Sequence, residues 1–218
     1  MKLRLQPIRV FCFHQVSDTF DEGSMYRCDW LQTDDFKNKI IDLQDEGYTF
    51  ISLPDAYKKM QNDVFRCRKY AVLTADDGWE SLHNILPWLG ERQIPVTLFL
   101  NPAYFDGKHY REKKGERYFL QNEIEHLYEK YPLLTIGSHG MEHKDATKLS
   151  VEEFSKSLRN SIDLLQKLPN YVPFYAFPYG KYTNKSISIV NSMGVVPVLV
   201  SGGKNYNTKK IYLDREPL

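Results

Sequence analysis

Apolar residues follow two rhythms along this chain. Seven short runs are almost wholly apolar: IRVFCF at 8–13, TFIS at 49–52, YAVLTA at 70–75, PVTLFL at 95–100, LLTIG at 133–137, FYAF at 174–177 and VVPVLV at 195–200. Runs of that length with no polar face predict strands buried on both sides. Between them the apolar positions recur at helical spacing. Phe36, Ile40 and Leu43 mark a helix over 34–46, opened by Thr33 with Asp34 and Asp35 in its first turn and closed by Gly47. Ser52 caps a helix with Pro54 near its start. Leu82, Ile85, Leu86 and Leu89 predict a helix that Pro87 should kink. Residues 121–130 read as helix. Ser150 and Glu153 form a capping box ahead of the clearest stripe, Phe154, Leu158, Ile162 and Leu165, and 184–193 is a helix ended by Gly194. Residues 101–120 show no period and predict the longest loop, where function is expected.

Strand and helix alternate throughout, which calls for a parallel sheet with right-handed crossovers. An open doubly wound sheet and a barrel both satisfy the pattern. Neither a Gly-rich phosphate loop nor a dinucleotide fingerprint is present, which argues against nucleotide binding. In either architecture function sits at the carboxyl ends of the strands.

Composition adds bounds. The 218 residues suit one domain, and 42% hydrophobic with 26% charged residues is ordinary for a globular chain. A net charge of +1 gives no field that would favour nucleic acid or an anionic membrane. The 15 Tyr and 12 Phe supply aromatic faces that stack on sugar rings, although ordinary packing uses them too. Cys12, Cys28 and Cys67 are odd in number and form no C-x-x-C pair, so no disulfide framework is expected. The apolar run after Pro7 is short and is broken by His14, unlike a signal segment, and no stretch is long enough to span a membrane. The expectation is a cytoplasmic protein.

Three strand ends carry unusual chemistry. Asp76 and Asp77 follow a buried strand directly. Two adjacent carboxylates are costly to bury unless a cation joins them. On extended backbone they should diverge, so one can ligate while the other does something else. His139 and His143, four apart, can chelate one ion from the same side of a helical turn, and neutral imidazole suits zinc and related metals. Glu142 between them should point away. Phe177-Pro178-Tyr179-Gly180 is a turn that can offer a backbone N–H to an oxyanion. His14 ends the first strand and would face the same cavity in a barrel. Each feature alone also has an ordinary structural reading. His83, His109 and His126 read as surface residues.

Together these segments resemble the polysaccharide deacetylase family, the chitooligosaccharide deacetylase homology domain. LTADDGWESLHNILPWLGERQIPVTLFL is similar to its first motif and the elements behind it, IGSHGMEHKDATKLS to its second, and FYAFPYGKYT to its third. FHQVSD and GYTFISL resemble the subgroup that acts on poly-N-acetylglucosamine-like exopolysaccharides. The resemblance implies an α/β fold, a distorted (β/α)7 barrel, as a single catalytic domain over 1–218. It implies removal of N-acetyl groups from an N-acetylated sugar or glycan, releasing acetate. Asp77, His139 and His143 would ligate a divalent metal, usually zinc, and Asp76 would be the general base. The Tyr179 N–H, beside Pro178, would hold the oxyanion, and Tyr104 in the long loop would contact substrate. Two departures stand out. Ala176 occupies the place of the family's Arg, so Asp76 lacks its usual cation unless Arg215 supplies one. No His follows His143, so His14 would have to protonate the leaving amine. The alternatives are a catalytically impaired carbohydrate-binding relative and an amidohydrolase acting on a small non-sugar amide.

Overall fold

In a computed structural model, residues 6–19, 30–62, 68–108, 110–111, 116–206 and 210–218 are described. Seven parallel strands form the frame: β1 (Ile8–Phe13), β2 (Lys69–Asp77), β3 (Val96–Leu100), β4 (Leu134–Ser138), β5 (Tyr171–Ala176), β6 (Val196–Val200) and β7 (Leu213–Pro217). Each pairs with the next, and β1 pairs with both β2 and β7, so the sheet closes on itself. This is the distorted (β/α)7 barrel in one domain.

Six helices surround the strands: α1 (Thr33–Asp45), α2 (Leu53–Asn62), α3 (Leu86–Glu91), α4 (Gln121–Lys130), α5 (Val151–Leu165) and α6 (Asn184–Ser192). Their starts follow local chemistry. The Ser150 hydroxyl accepts from the Glu153 N–H, and the Glu153 carboxylate accepts from the Ser150 N–H, closing the box that opens α5. The Thr33 N–H at the head of α1 donates to Asp18 from a distant segment, so a carboxylate outside the helix supplies the cap. Pro87 does not kink a long helix. It sits in the first turn of the short α3, after a separate 3-10 segment at Glu80–Asn84, where the missing N–H costs nothing.

Strand alternation sorts the side chains. Ile8, Val10, Val72, Phe99, Phe174, Ala176, Val198 and Leu213 fill one buried cluster inside the barrel, and Leu53, Ala56 and Met60 of α2 pack against it. Residues of opposite parity, among them Phe11, Leu73, Ala75, Leu98 and Ile136, pack outward with α1, α3 and α4. The predicted strand at 49–52 exists as Tyr48–Phe50, but it pairs with the start of β2 outside the ring. Its place among the seven is taken by β7, which the apolar pattern did not reveal. Among the described residues no helix is long and apolar enough to cross a membrane. Cys12 is buried on β1, while Cys28, Cys67 and His109 lie outside the described residues.

Candidate metal centre

The same alternation fills the carboxyl end of the barrel. Along β2, Val72 faces inward, and so do Thr74 and Asp76 after it. Phe13 pairs with Ala75, which brings His14 level with Asp76. Leu100 pairs with Ser138, so Asn101 and His139 follow side by side. On β7, Leu213 faces inward and Arg215 does the same two residues later. Five strands therefore deliver His14, Asp76, Asn101, His139 and Arg215 to one inner layer.

By parity Asp77 should turn away from that layer, and it does not. Its backbone is left-handed, with φ 71°, which swings the side chain back. Both carboxylates thus reach the same imidazole. His139 Nε2 lies 4.0 Å from Asp76 Oδ2 and 3.4 Å from Asp77 Oδ1. His143 is left-handed as well (φ 53°), in an irregular loop rather than the helical turn expected from its spacing, and its Nε2 is 3.2 Å from the same Asp77 Oδ1. Tyr179, the third such residue here, has φ 59°, and its ring meets that of His143 edge-on with centroids 4.6 Å apart. Among the described residues only Gln93 is a further non-glycine residue with positive φ. Backbone strain, about 1 kcal/mol or more per residue, is therefore concentrated at these loops.

Asp76 has its cation. Arg215, 1% exposed, donates from both terminal nitrogens to the two Asp76 oxygens at 2.6 and 2.8 Å, and also to Thr74 at 3.1 Å. Burial opposes ionisation of Asp76, but Arg215 and, to a lesser extent, His139 and His14 hold its carboxyl below the usual range.

The donor set fits a metal on two observations. Asp77 Oδ1 is buried and accepts no hydrogen bond, although two imidazole nitrogens face it. His139 Nδ1 lies 2.8 Å from the Ala176 carbonyl, which can only accept, so in the neutral ring the proton is on Nδ1 and the Nε2 lone pair points at a carboxylate oxygen. Lone pair against lone pair is repulsive unless a cation lies between them. The separations of 3.2 and 3.4 Å match the edge of a tetrahedron, about 3.3–3.4 Å for ligand bonds of about 2.0–2.1 Å. One ligand atom from each of Asp77, His139 and His143 lies within 4.8 Å of the other two.

The other expected residues are nearby in varying degrees. Pro178 is buried and opens the 3-10 turn Pro178–Gly180 that carries the exposed Tyr179. The Tyr104 hydroxyl donates to the Glu142 carbonyl at 3.3 Å, and its ring stacks on Tyr118. Glu142 points its carboxylate away from the imidazoles, accepting from Ser157. Two residues escaped the sequence reading. Trp79 Nε1 donates to Asp77 Oδ2 at 3.1 Å. Asn101 is fully buried and donates to the carbonyls of His139 and Gly140 at 2.6 and 3.1 Å. Asn101 sits at a strand's carboxyl end, so the rule that selected the other residues would have found it.

A family model for polysaccharide deacetylase matches residues 64–198, which hold Asp76, Asp77, both imidazoles and the Pro178 turn. The chain belongs to the polysaccharide deacetylase family. Deacetylase PplD from Streptococcus pyogenes, solved in complex with acetate, superposes with a TM-score of 0.82 at 18% identity, covering 99% of this chain and 93% of that one. IcaB from Ammonifex degensii gives 0.80 at 18% identity, over 98% and 92%. A de-N-acetylase from Aggregatibacter actinomycetemcomitans gives 0.74 at 18% identity, over 97% and 94%. At these identities the likeness is one of fold. No curated protein matches the chain. The family's matched segment ends before β7, so Arg215 lies outside it.

Proposed function

We propose that this polysaccharide deacetylase relative is a metal-dependent N-deacetylase that hydrolyses the acetamide of an N-acetylated sugar or glycan and releases acetate. The observation that carries the reading is the buried Asp77 Oδ1, which faces two imidazole nitrogens and accepts a hydrogen bond from neither. Asp77, His139 and His143 would hold a divalent cation, zinc being the natural choice for one carboxylate and two imidazoles. Such a cation supplies acidity to a water and polarises the amide carbonyl.

The remaining roles fall to the chain itself. Asp76, kept ionised and aligned by Arg215, takes a proton from the attacking water through Oδ2, the oxygen nearer His139. The Tyr179 N–H, presented by the Pro178–Gly180 turn, helps hold the oxyanion. His14, level with Asp76 across the β1–β2 pair, protonates the leaving amine. Tyr179, exposed beside His143, and Tyr104 would contact the sugar. Arg215, paired with both Asp76 oxygens, supports an active enzyme over an impaired relative, because it supplies the cation that Ala176 cannot.

Metal analysis paired with an acetate-release assay on acetylated amino sugars tests the reading. Asp76→Asn should keep about one metal per chain and lose roughly 10²–10⁴-fold in acetate release. An Asp76→Asn protein with full activity would sink it. Turnover confined to simple cyclic amides would assign a different substrate class.

A further inference from the structure

The stretch at 101–119 touches both segments that carry the candidate ligands. On one side, Phe119 N–H donates to the Gly78 carbonyl at 2.9 Å, and Tyr118 forms a bridge with Trp79. The Tyr118 ring stacks on the Trp79 indole at 4.1 Å with planes 30° apart, and Tyr104 stacks on Tyr118 at 4.6 Å. On the other side, Asn101 holds the carbonyls of His139 and Gly140, Ala103 N–H donates to Met141, and the Tyr104 hydroxyl donates to Glu142. The three-ring stack ends at Trp79, which is 3% exposed and spends its N–H on Asp77 Oδ2.

A carboxylate can meet a cation with one oxygen or two. We propose that Trp79 is a positioning residue of the metal centre: its N–H commits Asp77 Oδ2, leaves Oδ1 as the single oxygen turned to both imidazoles, and is held in place by the Tyr118–Tyr104 stack. This rests on the metal-site reading above. Such outer partners orient ligands and typically change metal affinity 10- to 100-fold when removed. The long loop that the sequence marks for function thus acts on the ligands, whatever it contributes to substrate.

The test is chelator-competition titration of Zn²⁺ and Co²⁺ into the metal-stripped full chain. Trp79→Phe keeps an aromatic ring for the stack and removes the N–H together with the remainder of the second ring. It should bind Zn²⁺ roughly 10- to 100-fold more weakly, measured at a temperature where the metal-free variant is fully folded. Tyr118→Leu should weaken binding in the same direction. The visible bands of the Co²⁺ form should also lose intensity in Trp79→Phe, because the released Oδ2 raises the coordination number. This readout does not depend on stability and serves if the variant is less stable. Asp77→Asn, which tolerates the left-handed backbone, separates the two ideas. If Asp77→Asn binds like wild type, the metal-site reading falls and this proposal falls with it. If Asp77→Asn loses binding while Trp79→Phe keeps wild-type affinity and an unchanged Co²⁺ spectrum, the proposal alone is overturned.

Discussion

Replacing Arg215 by Met should destabilise the protein mainly through what it leaves behind. Asp76 is 4% exposed, and its two oxygens are satisfied by the two Arg215 nitrogens at 2.6 and 2.8 Å. Removing one partner of a buried pair costs about 3–5 kcal/mol, because the other charge stays buried without compensation. Part of this is offset. Arg215 Nε is buried with no acceptor, a penalty of about 1 kcal/mol that Met does not carry. The net expectation is about 2–4 kcal/mol. At about 2–4 °C per kcal/mol for a chain of this size, the melting temperature should fall by about 4–16 °C. Denaturant unfolding of the metal-stripped protein, with chelator present, measures the stability change directly. The double variant Arg215→Met/Asp76→Leu should recover most of the loss, since it replaces the pair by apolar groups. Arg215→Lys should fall between, keeping a charge but losing the fork. A double-mutant coupling below about 1 kcal/mol would refute the claim that this pair governs Asp76.

Three further outcomes are expected. His14→Ala should lower acetate release by roughly 10²-fold or more while metal content stays near one per chain; loss of the metal instead would make His14 a ligand or a structural residue. Glu123, paired with both terminal nitrogens of Arg117 and accepting from the Leu120 N–H, has its carboxyl held below the usual range, chiefly by Arg117. Its contribution is therefore present above its unfolded value of about 4.3 and is lost as pH falls through the lower folded value. Glu123→Gln should cost at most about 1 kcal/mol near pH 7 and nothing in strong acid, so a stability difference that persists there would contradict the assignment. Gly137→Ala would put a Cβ 2.6 Å from Phe99 Cε1 and 3.0 Å from the Phe174 carbonyl, and should cost about 1–3 kcal/mol in urea unfolding.

Much of the barrel was legible because its strands are buried on both faces, which writes them as uninterrupted apolar runs. β7 was not, and the reason is physical. Its residues are Leu-Asp-Arg-Glu-Pro, and their polar atoms are satisfied by tertiary partners that no local pattern announces. Asp214 N–H donates to Asn205, Asp214 accepts from Ser201 and Lys210, and Glu216 pairs with Arg9. The count of seven apolar runs matched the seven-stranded ring, yet one run, at 49–52, belongs outside it. The 3-10 segment before α3 was read as continuous helix because Leu82, Ile85, Leu86 and Leu89 satisfy both spacings.

The centre was legible in its residues and not in its geometry. Asp76, Asp77, His139 and His143 stood out because each follows a buried strand, where a polar group needs a reason. Alternation then gave the wrong direction for Asp77, since it assumes extended backbone, and a single left-handed residue reverses it. That reversal brings two carboxylates to one imidazole, an arrangement that requires each to be balanced by a different cation. Arg215 balances Asp76, and Asp77 Oδ1, which accepts no hydrogen bond, would be balanced by the proposed metal ion. The two balances could not be exchanged: the guanidinium spans both Asp76 oxygens, while Trp79 occupies Asp77 Oδ2 and would leave Oδ1 for an ion. On the proposed reading, the division of labour between adjacent, chemically identical side chains would be set by what the last strand and the first turn after β2 bring to each.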